Sequence, residues 1–143
     1  AVHALKHRFT VSQYHRMVEA GIFGEDDRVV LLEGVIVQTS PIDSRHAACV
    51  ARLTTLLARL HDRAIPWVQN PVVLDEYSEL QPDITLRRFR EDIYAQTLPG
   101  PHDVLLLVEV AASSVEYDQG IKVPLYSRAG VAEGWRVDLV QHG

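Results

Sequence analysis

The chain has 143 residues, 47% of them hydrophobic and 23% charged, which suits a single soluble domain with a real core over 1–143. Fourteen Lys+Arg against nineteen Asp+Glu give a net charge of −5, which argues against coating nucleic acid by charge alone but not against an acidic site balanced by a divalent cation. No apolar run approaches the roughly 18 residues of a membrane span, the start lacks a signal-type apolar segment, and Cys49 is the only cysteine, so the expectation is a cytoplasmic protein without internal disulfides.

Thr10 is placed to cap a short helix over about 11–20, closed by Gly21. Val29 to Leu32 and Val35 to Gln38 alternate as two short strands, with Glu33-Gly34 as a two-residue hairpin turn. A long helix is expected over about 44–63, with Ala47, Val50, Leu53, Leu57 and Leu60 on one stripe and Pro66 as its breaker. Trp67 to Leu74 reads as one bent or edge strand containing Pro71. Asp75 to Leu80 reads as a polar turn, Pro82 to Leu86 as a strand, and 87–101 as an irregular connection. Asp103 to Ala111 follows as a strand buried on both faces. A helix over about 120–128, with Pro124 in its first turn and Gly130 as its cap, precedes a last strand from Trp135 to Val140. The order predicts a mixed α/β domain with a central sheet flanked by helices.

Glu109 interrupts the most apolar strand, between Val108 and Val110. An unpartnered buried carboxylate costs several kcal/mol or shifts its pKa strongly, so a partner is expected. Asp83 begins its strand and Glu109 ends its own. If the two strands are antiparallel neighbours, both carboxylates meet at one end of the sheet. Two carboxylates so close call for a cation, and hard oxygen ligands suit Mg²⁺ or Mn²⁺. The alternative is an isolated strand-start Asp and a Glu in a structural ion pair. Lys122 starts the next helix and could reach the pair to orient water or meet charge on a phosphate oxygen. On the residues alone the favoured reading is a solvated helix lysine paired with Asp118. Arg87, Arg88 and Arg90 form a local basic cluster that fits a solvated loop better than a nucleic-acid contact. Trp67 and Trp135 are expected in the core or an interface.

Pro82-Asp83, Glu109-Val110-Ala111 and Lys122 together resemble the PD-(D/E)XK nuclease pattern. Leu32-Glu33-Gly34-Val35-Ile36-Val37, Ser40-Pro41, His46, Tyr117-Asp118-x-x-x-Lys122-x-Pro124-Leu125-Tyr126 and Ala129-Gly130-Val131-x-Glu133-x-Trp135-x-Val137-Asp138 resemble, more closely, the Uma-two family of restriction-endonuclease-like proteins. The resemblance covers about 28–138 and implies a restriction-endonuclease-like core and a Mg-dependent (or Mn-dependent) site that cleaves nucleic acid, expected to be DNA. It implies Asp83, Glu109 and the Val110 backbone carbonyl as metal ligands, Lys122 as the catalytic lysine, and His46 as a residue that contacts a phosphate or a metal-bound water. In the common motif the lysine stands two residues after the Glu. That position is Ala111 here, so the lysine comes from the following helix. One departure stands out: Val30 occupies a position where the family carries an acidic residue. It keeps open a second reading, a module of the same fold that binds nucleic acid or a protein without cleaving. A structural homodimer is a third reading, argued from Trp135 and the sheet edge. The family pattern also runs past residue 143, so a closing C-terminal element is expected to be missing.

Overall fold

A computed structural model describes residues 5–39, 43–60, 63–111 and 122–139. Helix α1 (Val11–Glu19) has a capping box: Thr10 Oγ1 accepts from Gln13 N, and Gln13 Oε1 accepts from Thr10 N. The Tyr14 hydroxyl donates to Val29 O at 3.2 Å, and His15 Nε2 lies 2.5 Å from Glu79 Oε1, which fastens the helix to the strands below.

Strands β1 (Val29–Leu32) and β2 (Val35–Gln38) pair antiparallel around the expected turn. Glu33 and Gly34 both have positive φ, 50° and 84°, as a hairpin turn of this twist requires. Gly34 is also a close approach: a Cβ there would lie 2.6 Å from Arg8 Cβ. Its N–H donates to Tyr77 O and its carbonyl accepts from Phe9 N, so the N-terminal segment lies across the turn. The Arg8 guanidinium sits 3.9 Å from the Tyr77 ring centroid.

Helix α2 (Ser44–Leu57) is capped by Asp43, whose side chain accepts from His46 N. The stripe is shorter than its sequence pattern. The helix tightens into a 3₁₀ turn over Ala58–Leu60, and Leu60 is left exposed. Pro66 is not the breaker. It lies inside β3 (Ala64–Val68), opposite Leu86, and β3 is an edge strand, where a missing N–H is tolerated.

The single bent strand expected over 67–74 is two strands in two sheets. Gln69 turns the chain with φ 50°, and β4 (Val72–Asp75) joins a different sheet from β3. The expected polar turn at 75–80 is also corrected. Only Glu76 and Tyr77 turn, after which β5 (Ser78–Leu80) is fully buried. Polar residues can occupy that strand because each has a partner: Ser78 Oγ accepts from Glu33 N, and Glu79 meets His15.

Strand β6 (Ile84–Arg88) starts and ends later than expected, with Asp83 just before it. A 3₁₀ turn over Pro101–Asp103 leads into β7 (Val104–Ala111). Helix α3 (Val123–Ala129) has Lys122 at its N-cap and Pro124 in its first turn, and Gly130 closes it in the left-handed conformation. Strand β8 (Gly134–Asp138) is the last element of the described chain.

The described strands form two four-stranded sheets, β2-β1-β5-β4 and β3-β6-β7-β8, rather than one central sheet. In the second, β3, β6 and β7 run antiparallel and β8 runs parallel to β7. A parallel neighbour requires a crossover, and α3 lies in it. Strand β7 is covered on both faces, as its apolar run predicts. Leu106, Val108 and Val110 pack with Ile84 and Leu86 against Val50 and Leu57 of α2. Val104 and Leu107 pack with Val30, Leu32, Val72, Leu74 and Leu80 of the first sheet and Leu125 of α3. At about 25 cal/mol per Å² of apolar surface, these two layers provide the main drive for folding. No helix among the described residues is long and apolar enough to cross a membrane.

Candidate functional site

Pairing register fixes the first relation at the site. Strands β6 and β7 are antiparallel with Ile84 opposite Val108, so Asp83 and Glu109 fall beside each other at one end of the sheet. Asp83 Oδ2 accepts the Val110 N–H at 2.7 Å. Its other oxygen, Oδ1, lies 3.1 Å from His46 Nε2. The Asp83 carboxylate is thus oriented by the backbone next to Glu109 and by the first turn of α2. His46 has its Nδ1 buried without a hydrogen-bond partner among the described residues. The sequence resemblance implies a contact with phosphate or metal-bound water for His46, and the structure places its ring on Asp83.

Glu109 is met from α3. Lys122 Nζ lies 3.8 Å from Glu109 Oε1, and both side chains are 22% exposed. The Tyr126 hydroxyl donates to the same oxygen at 2.7 Å. Lys122 and Tyr126 are four residues apart, so they share one face of α3. A cavity of about 240 Å³ opens beside them, bordered by Leu107, Glu109, Lys122, Tyr126, Trp135 and Arg136. It gives solvent and small ions a path to Glu109. Trp135 is 46% exposed on its rim, so of the two places expected for it, core or interface, it does not take the core.

Sequence reasoning missed the Tyr126 contact. The signal was present in its spacing of four from Lys122, but a tyrosine on an inward helix face reads first as packing. Three other residues weighed in the sequence lie away from this end of the sheet. Glu33 is ion-paired with Arg128 of α3. Val30 is buried in the apolar layer between the sheets. Arg87 is neither a loop residue nor a surface contact. It is 2% exposed, with its guanidinium carbon 4.4 Å from the Trp67 ring centroid and 5.5 Å from that of Tyr94. Ser40, Pro41, Tyr117 and Asp118, including the Asp118 partner weighed for Lys122, lie outside the described residues.

Among the described residues, no three His, Cys, Asp or Glu side chains gather tightly enough to hold a metal ion by themselves. Strand register sets two carboxylate residues, Asp83 and Glu109, across from one another beside the β7 backbone. That oxygen set fits a small hard cation such as Mg²⁺, which binds through one or two carboxylates and keeps several waters. It lacks the closed set of four Cys and His ligands of a structural zinc site.

Comparison with known proteins agrees with the architecture. A search of curated protein sequences gives no match. Among solved structures, the chain is similar to a "putative nuclease belonging to DUF820" from Anabaena variabilis, with a TM-score of 0.68 and 14% identity, over 91% of this chain and 74% of that one. At that identity the likeness establishes the fold, which is restriction-endonuclease-like. The Uma2 family, described as "Putative restriction endonuclease", matches residues 11–142. With nearly the whole chain matched and the fold in agreement, the protein belongs to the Uma2 family.

Proposed function

We propose that this protein is a divalent-metal-dependent nuclease that hydrolyses phosphodiester bonds in nucleic acid, with DNA as the expected substrate. The observation that carries the reading is the convergence at the shared end of β6 and β7. There Asp83 is tied to the Val110 N–H at 2.7 Å, and Glu109 has Lys122 at 3.8 Å. Asp83, Glu109 and the Val110 carbonyl would hold Mg²⁺ or Mn²⁺. Such an ion, when bound, polarises the phosphate and lowers the pKa of attacking water.

The remaining chemistry falls to the chain's own groups. Lys122 brings a positive charge to the edge of the site, where it orients the attacking water and meets charge developing on the phosphate oxygens. His46 and the Val110 N–H keep Asp83 from rotating. The apolar layers behind Glu109 exclude bulk water on that side and strengthen each charge interaction.

Cleavage of labelled DNA and RNA with Mg²⁺ or Mn²⁺ tests the reading. The expected result is metal-dependent cleavage that disappears in Asp83→Ala and in Lys122→Met. Inactivity of the whole protein on both nucleic acids with both metals would sink it. A second reading, binding without cleavage, is favoured by Val30, which is packed in the core at a position where the family resemblance implies a carboxylate. Retained DNA binding without hydrolysis, and without any Mn²⁺ uptake, is the outcome it predicts.

A further inference from the structure

We infer that Tyr126 is a positioning residue of this site, and that it, rather than Lys122, orients Glu109 for a cation. The inference rests on the metal-site reading above. Two side chains of α3 approach the same carboxylate oxygen, and their distances differ in kind. The Tyr126 hydroxyl at 2.7 Å is within hydrogen-bond range, whereas Lys122 Nζ at 3.8 Å is a charge neighbour beyond it.

That difference matters chemically. An ammonium locked onto Glu109 would neutralise it and compete with an incoming cation. A neutral phenol fixes the carboxylate while leaving its negative charge in place. Tyr126 can do this because its helix is anchored: Leu125 is 1% exposed in the core, and the Tyr126 ring packs against the same apolar layer. A ring held on two χ angles and supported along its length delivers its hydroxyl to one place. The arrangement parallels that of Asp83, which is oriented by His46 from the other helix. Outer partners of this kind tune metal ligands strongly.

Calorimetric titration of the whole protein with Mn²⁺ tests the inference, with melting curves to confirm folding. Tyr126→Phe removes one oxygen and keeps the ring. It is expected to weaken Mn²⁺ binding by on the order of 10-fold, the lower end for loss of an outer-shell partner, and to lower kcat while leaving KM for DNA unchanged. Lys122→Met is expected to abolish cleavage yet bind Mn²⁺ at least as tightly as the parent, since it removes a competing positive charge. Tyr126→His keeps a ring donor and is expected to bind Mn²⁺ more tightly than Tyr126→Phe. Parent-like affinity in Tyr126→Phe overturns the inference and leaves the nuclease reading standing. So does a Lys122→Met variant that loses affinity as Tyr126→Phe does. A parent protein that takes up no Mn²⁺ overturns both.

Discussion

Strand β6 has a charged residue near each end, and the fold treats the two in opposite ways. Asp83, just before the strand, is oriented by a backbone N–H and a histidine, and by register it stands across from Glu109, whose side chain is 22% exposed. Arg87, near the other end, is sealed in. Its Nε donates to Thr85 Oγ1 at 3.1 Å and the rings of Trp67 and Tyr94 stand close to it, but one terminal nitrogen has no hydrogen-bond partner among the described residues. Burial pulls its pKa down to about 10. The contrast shows that a buried charge is not by itself the mark of a site. What distinguishes the Asp83 end is convergence: two acids, a lysine and an opening. The Arg87 end has a cation 2% exposed beside aromatic faces, which is an architectural use of charge.

The two ends should respond differently to mutation. The largest expected effect is at the acidic end: Asp83→Ala should reduce metal-dependent cleavage by at least about 100-fold, the scale of losing one preorganised charge-stabilising group. A nuclease assay checks this, and residual activity close to the parent's would break the comparison. At the other end, Arg87→Ala should leave cleavage intact but destabilise the fold by about 2–4 kcal/mol, because it empties a packed site. Urea unfolding reads that loss. Arg87→Met fills the space without charge and should cost less than about 1 kcal/mol or stabilise, as often happens when a buried ion is replaced by an apolar side chain.

The pH dependence sharpens this further. The Arg87 folded-state pKa lies below its ordinary value, with burial as the first cause. Below about pH 10 both folded and unfolded forms carry the proton, so the burial penalty is fully present. As pH rises through about 10 the folded form releases the proton first and the penalty shrinks. The stability advantage of Arg87→Met over the parent should therefore narrow between pH 8 and pH 10.5. A constant difference across that range would contradict it. The smallest effect is expected at the exposed Glu33–Arg128 pair: Arg128→Ala should shift stability by roughly 0.2–1 kcal/mol and less in high salt.

Much of this was legible in the sequence because local rules and tertiary structure agree there. Thr10 reads as an N-cap, Glu33-Gly34 as a hairpin turn, and the run through Glu109 as a strand covered on both faces. The relation of Asp83 to Glu109 followed from strand polarity alone, and β6 and β7 do run antiparallel. The errors share a physical cause, which is burial of residues whose local preference is polar or disruptive. Ser78 and Glu79 look like turn residues until Glu33 N and His15 satisfy them. Pro66 looks like a breaker until β3 turns out to be an edge. Arg87 looks solvated until Trp67 and Tyr94 close over it. Apart from Tyr94, these partners lie far off in sequence, so no local pattern announces them.

Gly34 has a practical consequence for where the chain can be shortened. The space a side chain would fill at that turn is taken by Arg8, and Phe9 donates its N–H to the Gly34 carbonyl. Residues 8 and 9 therefore belong to the folded unit although they precede its first helix. A protein trimmed to begin at Thr10 would leave an open socket over the hairpin and an unanswered carbonyl at its tip. The useful boundary for engineering this domain lies before Arg8.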